Sequence, residues 1–351
     1  MKRRISPRDA GSAALLVAVA ACAGGPPAAP SADEETRLVT AGPQSRSAVE
    51  RAPRPAPRRE VRSAPGSATD GEPPAGPSSR TVIIAAAGDV VLNPRAVKAA
   101  RAHASDGGFR RMIAGYSSVL DTRDIAFANL ETPLVDDVNP LRHGWPPVLG
   151  CPAGLAHALA AAGVDVMSVA NNHAYDQSHV GLRRTMDVLA GVGVMPVGAG
   201  PDLEAAYSPV VVERQGMRVA FVAMTDSINR LARRRGHPPV HVARLWHDER
   251  AVAAVRAARA RADVVVLSLH WSTDFVMEPT ASQRRLARAL VREGADVILG
   301  HGPHVLQQVE RIQSDRGEAV VAYSLGNLVS GMGRYYRLGH PPRGYVHPAN
   351  V

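Results

Sequence analysis

From Thr81 onward the chain alternates two patterns. Short, largely apolar runs give way to longer stretches whose apolar positions return every three or four residues. The runs are Thr81–Ala87, Ile125–Ala128, Val164–Ala170, Val264–Leu269, Val297–Leu299 and Glu318–Tyr323. Bounded by Gly or polar residues, they predict strands buried in a parallel sheet. Helical spacing predicts helices over Arg95–His103, Phe109–Leu120, Leu155–Ala162, Val180–Ala190, Asp248–Arg261 and Thr280–Glu293. A short strand is expected around Met195–Val197. Pro209–Arg214 and Met217–Met224, joined at Gln215-Gly216, read as a hairpin. Strands alternating with helices imply a largely parallel, right-handedly connected sheet, an α/β fold.

The residues just beyond the apolar runs are polar in a recurring way. The runs lead into Gly88-Asp89, Asn129-Leu130-Glu131, Asn171-Asn172-His173 with Asp176, His270-Trp271, and Gly300-His301-Gly302-Pro303-His304. In open α/β sheets the strands' carboxyl ends form the ligand-binding edge. One such end has a structural explanation: Asp89 suits a helix cap, and His301 and His304 suit a polar loop. Five together point to a common site. Two carboxylates, an amide and several imidazoles make a mixed oxygen and nitrogen donor set suited to Mn, Fe or Zn, with enough ligands for two ions. Asp226, after the hairpin, fits a turn. Residues 134–152, with Arg142, His143 and Trp145, form a Pro- and Gly-rich excursion that is either a substrate-facing rim or plain surface. Residues 228–247 are basic, irregular surface, and Cys151 is a small buried or half-buried thiol.

Before Thr81 the pattern changes. Lys2, Arg3, Arg4 and Arg8 precede the apolar run Ala13–Ala21, which is too short to span a bilayer and reads as an export signal. It ends in Val19-Ala20-Ala21-Cys22, similar to a bacterial lipobox, so Cys22 is expected to be the lipidated first residue of an exported lipoprotein. Ala23–Arg80 has eleven Pro, eight Arg against seven acids, and no aromatic residue. Such a segment buries too little apolar surface to offset its ordering entropy and is expected to be a flexible tether. The expected organisation is thus a signal over 1–22, a linker over 23–80 and one domain over 81–351. Cys22 and Cys151 are the only cysteines, which excludes a disulfide framework. The net charge of +9 does not indicate nucleic acid: all but two of the 41 basic residues are Arg, they are scattered, and aromatics are 4%.

Taken in order, Gly88-Asp89, Asn129-Leu130-Glu131, Ala170-Asn171-Asn172-His173-Ala174 with Asp176, His270-Trp271, Gly300-His301-Gly302-Pro303-His304 and Ser324-Leu325-Gly326-Asn327 resemble the bacterial capsule-synthesis CapA family, the poly-gamma-glutamate capsule proteins of the calcineurin-like metallophosphatase superfamily. The likeness covers about residues 82–330. It implies a four-layer α-β-β-α sandwich with metals at the sheet edges. It further implies Asp89, Glu131, Asn172, His270, His301 and His304 as metal ligands, Glu131 bridging, and His173 as catalytic acid. Three departures stand out. Val91 replaces a superfamily His, the bridging residue is Glu rather than Asp, and Ser272-Thr273-Asp274 follows Trp271 where the family more often has Gly and then Glu. The chain also stops at Val351, where relatives usually continue, so either the fold closes differently or the product is truncated. The implied function is a surface-anchored, metal-dependent hydrolase or transferase acting on poly-gamma-glutamate or another envelope polymer. The alternatives are a non-catalytic capsule assembly or anchoring protein and a surface phosphoesterase. An anionic polymer or phosphoester is the expected substrate, the lipid anchor the only membrane contact, and nucleic acid no partner.

Overall fold

The computed structural model describes residues 14–20, 81–104, 108–120, 123–136, 147–229, 239–245, 248–271 and 274–332. Cys22, the linker 23–80, the Arg142/His143/Trp145 excursion, Ser272, Thr273 and the C-terminal stretch 333–351 lie outside them. The described residues form a mixed α/β fold with two six-stranded sheets and a small antiparallel pair.

The first sheet is parallel throughout. Its order is β1 (Ala14–Ala20), β2 (Thr81–Val91), β3 (Ile125–Leu130), β4 (Val166–Ser168), β5 (Met195–Val197). The apolar run expected as an export signal is β1, paired in register with Thr81–Ala87. Beyond it on the same side of β2, β14 (Asn327–Ser330) pairs with Asp89–Val91. The small pair is β6 (Ala199–Gly200) with β9 (His241–Val242). The second sheet runs β12 (Val309–Ser314), β13 (Gly317–Ala322), β11 (Val297–His301), β10 (Val264–His270), β8 (Met217–Thr225), β7 (Val210–Arg214). Its four inner strands are parallel and its edge strands antiparallel. Among the described residues no helix is long and apolar enough to cross a membrane.

Strand periodicity divides the second sheet's side chains between two cores. Val219, Phe221 and Ala223 of β8 join one apolar cluster with Ala85, Ala87 and Phe127 of the first sheet. The Phe127 and Phe221 rings stack at 5.5 Å and 4° between planes. The alternate residues Ala220, Val222 and Met224 pack instead with Val255 and Ala258 of α7 (Asp248–Arg261) and Ala287 and Leu290 of α8 (Ala281–Glu293). Helices α4 (Gly154–Ala161) and α5 (Ser178–Gly191) bring Leu155, Leu159, Leu182 and Leu189 to the first cluster.

Several boundaries differ from the sequence expectation for local reasons. The expected helix Phe109–Leu120 is broken around Gly115 into α2 (Phe109–Ile113), a 3₁₀ turn and α3 (Ser117–Leu120). Asp89 does not cap the next helix. That helix, α1 (Pro94–Ala102), is capped by Asn93, whose Oδ1 accepts from the amides of Arg95 and Ala96. Thr280 is the N-cap of α8 and forms a capping box with Gln283. β2 and β11 run further than their apolar stretches suggest, so Asp89 and His301 lie inside strands. Both extensions use a glycine at a close approach. A Cβ on Gly88 would stand 2.1 Å from the Gly326 carbonyl oxygen, and one on Gly300 would stand 1.8 Å from that of Tyr323.

Those approaches occur where the chain crosses from β13, in the second sheet, to β14, in the first. The crossing segment is pinned to both: Leu325 N–H donates to Gly300 O at 3.0 Å, and Asp89 N–H donates to Gly326 O at 2.9 Å. A methyl at Gly300 would have to displace the Tyr323 backbone and the buried Trp271 indole. Gly300→Ala should therefore lower unfolding stability by about 3 kcal/mol or more, the top of the overpacking range, read in urea melts. A wild-type melt would show that the crossing segment can move away.

Candidate metal centre

The parallel strands deliver the predicted polar residues to one edge. His270 and His301, in register on adjacent strands, face Thr225 on the other side of β10. Asp89 is fully buried, as are Glu131 and His301, and His270 is 1% exposed. Burying a carboxylate without partners carries a large desolvation penalty, so each group's surroundings are informative.

Asp89 is fully partnered. Its Oδ1 accepts from Asn129 Nδ2 at 2.8 Å and from His301 Nδ1 at 3.1 Å; its Oδ2 accepts from the Gly302 amide at 3.1 Å. His304 Nδ1 stands 3.3 Å from the same Oδ2 and 3.0 Å from Asn327 Oδ1. Burial pushes the Asp89 carboxyl up, and the hydrogen bonds from His301 and His304 outweigh it, holding the group well below the usual range.

Glu131 is the opposite case. Neither carboxylate oxygen has a hydrogen-bond partner. Around Oε1 stand three imidazole Nε2 atoms, from His304 at 3.8 Å, His173 at 3.9 Å and His270 at 4.0 Å. These gaps are too long for hydrogen bonds. Two donors sharing one ion at bond lengths near 2.0–2.2 Å stand about 3–4 Å apart, so the spacing suits a cation between them. Donor atoms of Asp89, Glu131 and His270 all lie within 4.8 Å of one another. His301 Nε2 and Asn172 Oδ1 are also buried without a partner. Four unpartnered lone-pair atoms beside a polar cluster fit divalent cations better than they fit a closed hydrogen-bond network.

The protonation pattern in the absence of a cation follows from the same geometry. Burial raises Glu131 to about 7, although His304 opposes it. Burial lowers His270 to about 3. His304 is also penalised by burial, but the negative charge of Glu131 and the hydrogen bond to Asp89 raise it to about 10. Burial lowers His173, but the hydrogen bond to Asp176 and the charges of Glu131 and Asp176 together outweigh it and raise the group. Its Nδ1 donates to Asp176 Oδ2 at 2.6 Å, and its Nε2 stands 3.3 Å from Asn229 Nδ2. Asp176 in turn accepts from the Leu149 amide at 2.6 Å.

Five of the six residues expected as ligands therefore stand together at this edge. Asp89, Glu131, His270, His301 and His304 are within reach of one another, and Asn172 turns a buried oxygen without a partner. Asp226 serves the loop, its amide donating to His270 O at 2.9 Å. Cys151 is buried, pushed up to about 12 by burial, and far from nucleophilic. Sequence reasoning missed Asn229 and Arg244. Asn229 lies in a stretch expected to be plain surface. Arg244 bridges Thr225, itself opposite His270. No periodic pattern marks either.

A family model for the bacterial capsule synthesis protein PGA_cap matches residues 83–332. The chain belongs to that family. The PGA_cap match takes in every strand that delivers a residue to the centre. Relatives include the PGA biosynthesis protein CapA of Bacillus subtilis (strain 168), 34% identical over 170 residues, 48% of this chain and 43% of the relative. The capsule biosynthesis protein CapA of Bacillus anthracis is 27% identical over 252 residues, 70% of this chain and 59% of the relative. A probable polyglutamine synthesis accessory protein of Mycobacterium tuberculosis (strain CDC 1551 / Oshkosh) is 30% identical over 181 residues, 49% and 47% of the two chains. The chain thus spans about half the length of the curated relatives it matches.

His304 and Asp89 give the cation-free centre a defined pH response. His304, raised in the fold, contributes stability that is whole below about pH 6.5 and lost as pH rises through its folded value of about 10. Asp89, lowered in the fold, contributes stability present above about pH 4 and lost as pH falls through its folded value. Glu131, raised to about 7, acts at lower pH than this upper limb. With chelator present, the thermal midpoint should fall from pH 7 to 10, and His304→Gln should flatten that limb. An equally steep fall in the variant would assign it to other groups.

Proposed function

We propose that this chain is a metal-dependent hydrolase or transferase of capsule or cell-envelope polymer synthesis, with poly-gamma-glutamate the polymer suggested by its relatives' names. The observation that carries the chemistry is Glu131, a fully buried carboxylate with no partner inside a ring of three imidazoles. Asp89, Glu131, Asn172, His270, His301 and His304 would hold the divalent cations, Mn, Fe or Zn. Bound there, such ions supply Lewis-acid polarisation of a carbonyl or phosphoryl oxygen and a nucleophile near neutral pH. The four-layer α-β-β-α arrangement of metallophosphatases belongs to the same reading, supported by the two sheets' shared core.

His173 is the acid in this reading. Asp176 holds its Nδ1 proton and Asn229 faces its Nε2, so the ring is fixed with one nitrogen toward Glu131. From there it delivers a proton to the departing oxygen or nitrogen. Arg244 supports an anionic substrate. Its Nε is buried without a partner, and its Nη2 makes one long bond, 3.4 Å, to the Asp226 carbonyl. A guanidinium so poorly satisfied is stabilised by a carboxylate or phosphate that arrives with substrate. Val91 favours a second reading, a non-catalytic capsule assembly protein: the position where the superfamily has a His is a buried apolar side chain at 2% exposure.

Activity against poly-gamma-glutamate and phosphoester substrates, with metal content measured alongside, tests both readings. Asp89→Ala should empty the centre. His173→Ala should keep near-normal metal and lose about a hundredfold or more in turnover. Arg244→Ala should raise KM about tenfold or more and change kcat less, the scale of one charged hydrogen bond. An assembly protein would instead turn over neither substrate and would support capsule formation with His173→Ala. A metal-free His173→Ala would make His173 a ligand.

Export and anchoring through Cys22 belong to the same proposal, since a capsule-polymer protein works at the envelope and a long Pro-rich segment, 23–80, suits a tether. Labelled palmitate should enter the wild type and not Cys22→Ser. Equal labelling of the two would remove the anchor.

A further inference from the structure

We infer that Asn129 and Asn171, two buried amides beneath the centre, are positioning residues that hold Asp89 and His270 in a fixed relation across the two sheets. The inference rests on reading Asp89 and His270 as cation ligands. Asn129 is 0% and Asn171 1% exposed. Asn129 lies two residues beyond Phe127 on β3 and so projects into the same space between the sheets.

The backbone decides how both amides point. Asn171 Nδ2 donates to Leu130 O at 2.8 Å, and Asn171 Oδ1 accepts from the His173 amide at 3.2 Å. Reversing the side chain would set oxygen against oxygen and N–H against N–H. Thus fixed, Asn171 Nδ2 also faces Asn129 Oδ1 at 3.3 Å. Only the amino end of Asn129 is then left for the centre. It donates to Asp89 Oδ1 at 2.8 Å and stands 3.5 Å from His270 Nδ1. One amide group therefore touches a carboxylate of the first sheet and an imidazole of the second.

Neither residue offers a lone pair to a cation in this arrangement. Asn129 has turned its oxygen away, and the Asn171 oxygen is held by His173. Their effect on a cation must pass through the ligands they orient. Outer partners of metal ligands commonly set affinity by about ten- to a hundredfold. Asn171 acts on Asp89 and His270 only through Asn129, so the two contributions are in series.

Titration of Mn²⁺ and Zn²⁺ into the metal-stripped full chain tests this, with thermal midpoints in chelator as the measure of folding. Asn129→Ala should weaken affinity by about ten- to a hundredfold and Asn171→Ala by less. The double variant should bind about as Asn129→Ala does, the non-additive result expected of residues in one chain of contacts. If Asn129→Ala does not fold, Asn171→Ala, which touches no ligand side chain, decides: weakened binding supports the inference. Wild-type affinity in a folded Asn129→Ala or Asn171→Ala overturns it, as do fully additive losses. A wild type that binds neither ion overturns the metal reading itself, and this inference with it.

Discussion

The centre depends on one crossing of the chain. Ser324–Asn327 leaves β13 in the second sheet and enters β14 in the first, passing directly over Gly300 and Gly88. Because neither glycine has a side chain, backbone meets backbone, and the two hydrogen bonds at Leu325 and Asp89 tie the sheets together at their carboxyl edge. Asp89 follows Gly88 and His301 follows Gly300. Asp89 and His301 are thus placed by the same contacts that join the sheets. Without the crossing, Asp89 and His301 would sit on separate layers whose spacing only apolar packing sets. With it, Nδ1 and Oδ1 are held at 3.1 Å.

Two buried carboxylates then divide the electrostatics. Asp89 is stabilised by four neighbours and serves as the fixed negative charge of the site. Glu131 has none, and its charge is disfavoured until a positive group arrives. A structural ion pair would satisfy both, since an unpaired buried charge costs several kcal/mol. A binding site leaves one unsatisfied. The asymmetry is the physical content of the metal reading, and it separates Glu131 from a carboxylate that merely caps a loop.

How much of this was legible in the sequence depends on what set each element. Buried parallel strands announce themselves as apolar runs, so β2, β3, β4, β10, β11 and β13 were each placed to within a few residues. Their polar ends followed, and with them the positions of Asp89, Glu131, His270 and His301. β12 was not legible, because its residues, Val309-Glu310-Arg311-Ile312-Gln313-Ser314, form a half-exposed edge with no apolar run. β14 was not legible because its pairing with β2 is imposed by the crossing rather than by its own four residues. Gly88 and Gly300 were read as strand ends, whereas the strands continue through them. The amide roles of Asn129 and Asn171 depend on which way a side chain is turned by a distant carbonyl. No local pattern encodes that.

The residues of the centre also differ in what holds them. Asp89, His270 and His301 belong to strands, and the sheets fix their backbone. His304 belongs to a loop and has φ of 57°, a left-handed conformation unusual for a residue with a Cβ. Phe275, whose ring lies 6.0 Å from that of His304, has φ of 60°. Such conformations persist only where neighbours over-determine them. Here the Phe275 amide donates to Pro303 O at 2.8 Å, Gln307 Nε2 donates to Val276 O at 2.8 Å, and Asn327 faces His304. The two loops brace each other across the mouth of the centre. The strained backbone thus lies at the loop-borne His304 and Phe275, while Asp89, His270 and His301, on strands, have no positive φ. A site built this way joins a half fixed by strands to a half held by hydrogen bonds between loops.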